Sequence, residues 1–293
     1  MESEQNIENP PPSPESEYLP ESSTIELIRQ TTLERPPSRA LFDFDGTLSL
    51  IREGWLEVMI AMMVEVLRQT GTEESEEDLT RLTMQFVKDL TGRQTIYQMI
   101  RLAGEVAARG AQPEDAQTYK KEYLERMMKK IHGRREKLRS GAQEPREMLV
   151  PFAREALEAL QTRGVDLYLA SGTDEKYVRE EVELLGLGVF FGNQIYGAVA
   201  DYKNFSKQLV IERILRENDV DGSVLIGFGD GYVEIENVKL VGGTAVAVAT
   251  DETGRSGRPD PWKRERLIQA GADFVIPDFR DCEVLFRHLW RES

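Results

Sequence analysis

The chain has 293 residues, 40% of them hydrophobic and 30% charged, enough to bury a sizeable core in one large domain or two modest ones. With 37 basic against 52 acidic residues its formal charge is −15, which argues against a general nucleic-acid binder and against docking to anionic membrane surfaces. No apolar run approaches a membrane helix, the N-terminus lacks the features of a secretory signal, and the single cysteine, Cys282, allows no internal disulfide, so a cytoplasmic setting is expected.

Residues 1–38 hold 7 of the 13 prolines and 8 acidic against 2 basic residues. They read as a mostly disordered acidic tail, with a possible short helix over Thr24 to Leu33. Truncating the tail is expected to leave the rest unaffected. Arg39 to Asp43 is a short apolar run that ends in Asp-Phe-Asp-Gly-Thr, a buried strand opening into a turn. From Leu50 to Met148 the texture is helical. Trp55, Met59, Met62, Met63, Val66 and Leu67 recur at helical steps, as do Leu79, Leu82, Phe86 and Leu90. Ile96, Met99, Ile100 and Ala103 repeat the pattern, and another amphipathic helix is predicted over Pro113 to about Ile131.

Beyond Val150 helices and strands alternate. Helices are predicted at 152–163, 175–185, 206–217, 234–241, 261–270 and 281–290. Strands are predicted at 165–170, 189–191, 194–196, 223–227, 245–249 and 274–276. Such alternation implies right-handed crossovers and a parallel sheet. The expected fold is therefore α/β, a doubly wound, mainly parallel Rossmann-like sheet. Residues 39–49 and 149–293 form it, and 50–148 are an all-helical insertion.

Chemistry concentrates at strand ends, where ligands bind in open α/β sheets. Asp43 and Asp45 lie beside Gly46 and Thr47 at the end of the first strand. Two close carboxylates either share a cation or force one to keep its proton. Asp230 and Glu234 follow another strand. With Asp43 and the backbone carbonyl of Asp45 they offer an all-oxygen set suited to Mg²⁺. Glycines 227, 229 and 231 do not make a dinucleotide fingerprint, because Tyr232 stands where the third glycine belongs. Ser171 and Gly172 end the strand 165–170 and could hold phosphate oxygens or merely cap a helix. Lys203 and Lys207 compete for the role of fixed cation. The two histidines, His132 and His288, lack zinc-ligand spacing, which disfavours zinc chemistry and a Ser-His-Asp triad.

Asp43-Phe44-Asp45-Gly46-Thr47-Leu48, Ser171, Lys207 and Gly229-Asp230 with Glu234, in that order, resemble the four motifs of the haloacid dehalogenase-like hydrolase superfamily. The resemblance spans about residues 39–293. The helical insertion after the first motif is similar to the cap of the subgroup that includes phosphoglycolate phosphatases and β-phosphoglucomutases. Lys207-Gln208-Leu209-Val210 stands where that subgroup commonly has Lys-Pro-x-Pro. The resemblance implies a Mg²⁺-dependent phosphatase acting on a small phosphorylated metabolite through an aspartyl phosphate on Asp43, with Asp45 as acid and base. Ser171 and Lys207 would balance charge on the transferring group. Gly46, Thr47, Gly172, Lys203 and the cap residue Arg93 are expected to contact substrate. A phosphomutase or other phosphotransferase would use the same core residues, and a non-enzymatic scaffold is the alternative outside enzymes. Dehalogenation is disfavoured by Asp45 and Asp230.

Overall fold

The computed structural model describes residues 17–29, 35–199 and 202–292. The central sheet is built from β3 (Arg39–Phe42), β4 (Asp166–Asp174), β5 (Ile195–Ala198), β6 (Leu225–Gly229), β7 (Thr244–Val248) and β8 (Phe274–Ile276). All six run parallel, in the order β8-β7-β6-β3-β4-β5. β6 and β7 are buried at every residue, as expected for strands covered on both faces. Alternate residues supply the two faces. Phe42, Phe228 and Phe274 join one apolar cluster, while Leu41, Ala245 and Val275 join the other. The rings of Phe42 and Phe228 stack with centroids 4.6 Å apart, which ties β3 to β6.

Four long helices follow the first motif: α1 (Trp55–Arg68), α2 (Glu76–Asp89), α3 (Thr95–Ala108) and α4 (Ala116–Ser140). Ser75 caps α2 by accepting from the Asp78 amide, and Asp115 caps α4 through the Gln117 amide. Gly141, at φ 72°, ends α4, which runs further than its predicted end near Ile131. The helices bury Met62, Met63, Leu67, Leu79, Leu102 and Met127 together, continuous with the sheet cluster around Phe42. The remaining helices, α5 (Ala153–Thr162), α6 (Glu175–Leu184), α7 (Gly188–Phe191), α8 (Lys207–Asn218), α9 (Tyr232–Leu240), α10 (Pro261–Gln269) and α11 (Cys282–Trp290), cover the sheet. Among the described residues no helix is long and apolar enough to cross a membrane.

Two expectations are corrected. The predicted strand at 189–191 is the helical turn α7. A strand would place Val189 and Phe191 on the same face, but Phe191 packs edge-on against Phe42 while Val189 is exposed. The acidic tail is also not wholly detached. β1 (Glu17–Tyr18) and β2 (Glu26–Leu27) form a short hairpin that adds antiparallel to β8. The possible helix at Thr24 to Leu33 is replaced, over its described part, by this extended segment; 30–33 lie outside the described residues. Leu19 and Ile25 are buried, Ser22 and Thr24 donate to Asp281 at 2.7 Å, and the buried Glu26 carboxylate takes a multidentate contact from Arg264. Burial of two large aliphatic side chains is worth about 1.5–3 kcal/mol each. Deleting residues 1–38 should therefore lower the melting temperature by about 5–10 °C. Calorimetry of the truncated chain checks this, and an unchanged melting temperature would return the segment to the status of a passive tail.

Candidate active site

The parallel order places the carboxyl ends of β3, β4 and β6 side by side, and with them Asp43, Ser171 and Asp230. The chain after β3 turns sharply at Gly46, φ 74°. A β-carbon there would fall 2.2 Å from Asp230 Oδ2, so both the conformation and the close approach call for glycine. The turn brings Asp45 back beside Asp43 at the mouth of the sheet.

Asp43 is buried. Its Oδ1 accepts from the Phe44 amide and from Lys207 Nζ, each at 2.8 Å. Lys207 opens α8, where Ser206 caps the helix through the Leu209 amide, and its ammonium also pairs with Glu234. Burial raises the pKa of Asp43; Lys207 opposes this and the Asp230 charge adds to it. Lys207 is thus the lysine that meets Asp43. Lys203 lies exposed in the short turn Tyr202–Asn204 and does not line the cavity.

Asp45 faces the cavity from the other side. Its Oδ2 accepts from Thr173 Oγ1 at 2.8 Å and, more weakly, from Ser171 Oγ at 3.4 Å. Its Oδ1 is buried without a hydrogen bond, with Arg52 Nε 3.7 Å away. Arg52 is itself clamped by Glu181 of α6, through Nε at 3.0 Å and Nη2 at 2.8 Å, both side chains being buried. Burial is the main reason that the Asp45 pKa rises to about 7; Arg52 counters it, while Glu181 and Asp43 reinforce it. Ser171 and Thr173 are not helix caps. β4 continues through them, and the Ser171 hydroxyl accepts from the Thr173 amide at 3.1 Å.

The helical segment closes the site. Thr91, Gly92 and Arg93, between α2 and α3, lie directly over the strand ends. A β-carbon at Gly172 would meet the Arg93 carbonyl at 3.0 Å, and one at Gly92 would meet Glu234 and Gly231. Gln94 fastens this loop by donating to the carbonyls of Phe205 at 2.7 Å and Tyr202 at 3.0 Å. Arg93 is largely exposed, donates to Tyr232 at 3.0 Å and lies over the Tyr97 ring, yet also lines the cavity. The cavity is about 90 Å³, bounded by Asp43, Asp45, Asp230, Ser171, Gly172 and Lys207 on one side and by Arg52, Trp55, Met59, Gln98 and Tyr123 on the other. Gly46 and Thr47 do not line it; Thr47 is fully buried behind the turn, its hydroxyl without a hydrogen bond.

The donors for a hard cation are present. Asp43 and Asp230 are near enough for each charge to be felt by the other, and Asp230 Oδ1 accepts no hydrogen bond from a described residue. The Glu234 carboxylate is buried close by, where Lys207 engages it as it does that of Asp43. Among the described residues no three acidic, histidine or cysteine side chains converge on one point. Asp43 and Asp230 are thus carboxylate donors of the kind that Mg²⁺ prefers, and both line the cavity. Sequence reasoning missed Glu181, Glu252 and Lys263, none of which adjoins a motif, whereas Thr173 directly follows the Ser171-Gly172 pair.

A family model described as haloacid dehalogenase-like hydrolase matches residues 39–242. No curated protein matches the chain. Solved structures share its fold. A predicted phosphoglycolate phosphatase from Haemophilus somnus is 17% identical, with TM-score 0.53, over 85% of this chain and 97% of that one. A HAD family hydrolase from Deinococcus radiodurans with bound phosphate and sodium is 15% identical, with TM-score 0.52, over 87% and 97%. A β-phosphoglucomutase from Clostridium difficile is 11% identical, with TM-score 0.57, over 87% and 98%. With the family match covering well over half of its length and the motif residues gathered at one sheet edge, the chain belongs to the haloacid dehalogenase-like hydrolases.

Proposed function

We propose that the protein is a Mg²⁺-dependent phosphatase that hydrolyses a small phosphate monoester through an aspartyl phosphate on Asp43. The observation that carries this reading is the pairing, at the base of one cavity, of two carboxylates with different partners. Asp43 is held beside a lysine that favours its anion, and Asp45 has a pKa of about 7. A carboxylate paired with a lysine, beside one that keeps a proton near neutrality, suits a nucleophile and a general acid.

Asp43 attacks phosphorus through the oxygen not held by Phe44 and Lys207. The bond from phosphorus to the leaving oxygen breaks, and Asp45 gives that oxygen its proton. Asp45 then takes a proton from water as the water attacks phosphorus, which frees Asp43 and inorganic phosphate. Ser171 and the Gly172 amide line the cavity where phosphoryl oxygens would sit, and Lys207 spreads positive charge over the same region. Bound Mg²⁺ supplies further neutralisation of the transferring group. The loop at Gly92 and Arg93 excludes bulk water from the reaction. A cavity of about 90 Å³ favours a compact metabolite over a polymer.

Phosphate release from a panel of small esters tests this. Release is expected with Mg²⁺ and should vanish in excess chelator. Full activity in chelator would overturn the metal requirement. Isomerisation of a substrate without phosphate release would mark a mutase instead, and no turnover of any ester would support a scaffold.

A further inference from the structure

Behind the site lies a cationic contact that the proposed reaction does not use. Lys263, in the first turn of α10, donates to Asp230 Oδ2 at 2.8 Å and to Glu252 Oε1 at 2.7 Å. The three side chains are nearly buried, with exposures of 11%, 11% and 15% for Lys263, Asp230 and Glu252. Gly46 packs against the same group, since a β-carbon there would lie 2.2 Å from Asp230 Oδ2 and 3.0 Å from Glu252 Oε1. Asp230 is therefore gripped by one oxygen from behind, while the residue lines the cavity beside Asp43. Burial alone would disfavour the ammonium form of Lys263, but Asp230 and Glu252 outweigh it and raise its pKa.

An ammonium and a divalent cation would thus lean on the same carboxylate. Charges a few ångströms apart in a nearly buried site interact strongly, so neither lysine nor glutamate can be neutral toward that cation. We infer that Lys263 and Glu252 set the cation affinity of the site, the lysine weakening it and the glutamate restoring part of what the lysine removes. This rests on the reading of Asp230 as a cation ligand. It differs from a purely mechanical role. If Lys263 were only a strut that aims Asp230, removing either Lys263 or Glu252 would loosen the carboxylate, and both variants would bind the cation less well. If charge governs, the two variants move in opposite directions.

The test is binding of Mn²⁺ alone to the full chain, read from the paramagnetic resonance signal of the free ion, without substrate or turnover. Lys263→Met should bind about tenfold more tightly than the unchanged protein, and Glu252→Gln about tenfold more weakly. The double variant should return to within about threefold of the starting affinity. If Lys263→Met does not fold, Lys263→Gln takes its place: tighter binding of Mn²⁺ than by the unchanged protein supports the inference, and equal or weaker binding overturns it. Weaker or equal binding by a folded Lys263→Met overturns the inference while leaving the metal site intact. Failure of every form to bind Mn²⁺ overturns the metal reading itself, and the inference with it.

Discussion

Asp43→Asn should cut phosphate release by at least about 10⁴-fold, the scale on which loss of a covalent nucleophile is felt, while leaving the melting temperature unchanged or slightly raised. The two halves of this expectation come from the same geometry. Asn can keep the contacts that Asp43 Oδ1 makes with the Phe44 amide and Lys207 Nζ, so the local frame survives. The neutral side chain also removes a charge that burial and the nearby Asp230 disfavour, and Lys207 still has Glu234 as a partner. What is lost is an anionic oxygen that can bond to phosphorus. Assays with a small ester, after ruling out deamidation back to aspartate, read the activity, and calorimetry reads the fold. More than trace turnover would remove Asp43 from the nucleophilic role. A melting temperature lower by many degrees would show that the carboxylate is chiefly structural.

The residues that sequence reasoning placed best are those that punctuate strands. Asp43, Ser171 and Asp230 each follow a short apolar run, and a parallel sheet brings the ends of such runs to one edge whatever the helices do. The contacts that sequence reasoning missed are those made between distant elements. Arg52 and Glu181 are 129 positions apart, and Lys263 and Asp230 are 33 apart, with no periodicity linking either pair. An arginine after the first motif looks like any surface arginine until α6 supplies its carboxylate. The choice between Lys203 and Lys207 was likewise open in the sequence. In the fold, Ser206 caps α8 and so starts the helix with Lys207 against Asp43. Two-residue strands such as β1 and β2 carry too little alternation to be read at all, and the burial of β2 depends on a β8 edge almost 250 residues away.

Glu181→Gln should produce the largest loss of stability among single changes near the site, together with a displaced pH profile. The pair it breaks is fully desolvated: Glu181 has no exposed surface, and Arg52 is 5% exposed. Removing one partner of such a pair leaves a buried charge uncompensated, at a cost of about 3–5 kcal/mol. Glutamine retains a hydrogen-bond acceptor, so a loss of about 3 kcal/mol, or roughly 6–10 °C in melting temperature, is expected. The exposed pair between Arg126 and Glu65 provides the contrast, since Glu65→Gln should cost no more than about 1 kcal/mol. The effect on catalysis follows from Asp45. Burial does most to hold its pKa near 7, the Glu181 charge helps to raise it, and Arg52 pulls it down. Without the Glu181 charge, Arg52 turns its attraction on Asp45 alone, and the pKa of Asp45 falls. Asp45 must be protonated to release the leaving oxygen, so activity declines as pH rises through its pKa. A lower pKa moves that alkaline decline in kcat/KM to lower pH in Glu181→Gln. A melting loss with an unmoved alkaline limb would confine the Arg52–Glu181 pair to holding the fold. A limb displaced to higher pH would contradict the assignment of Asp45 as the acid.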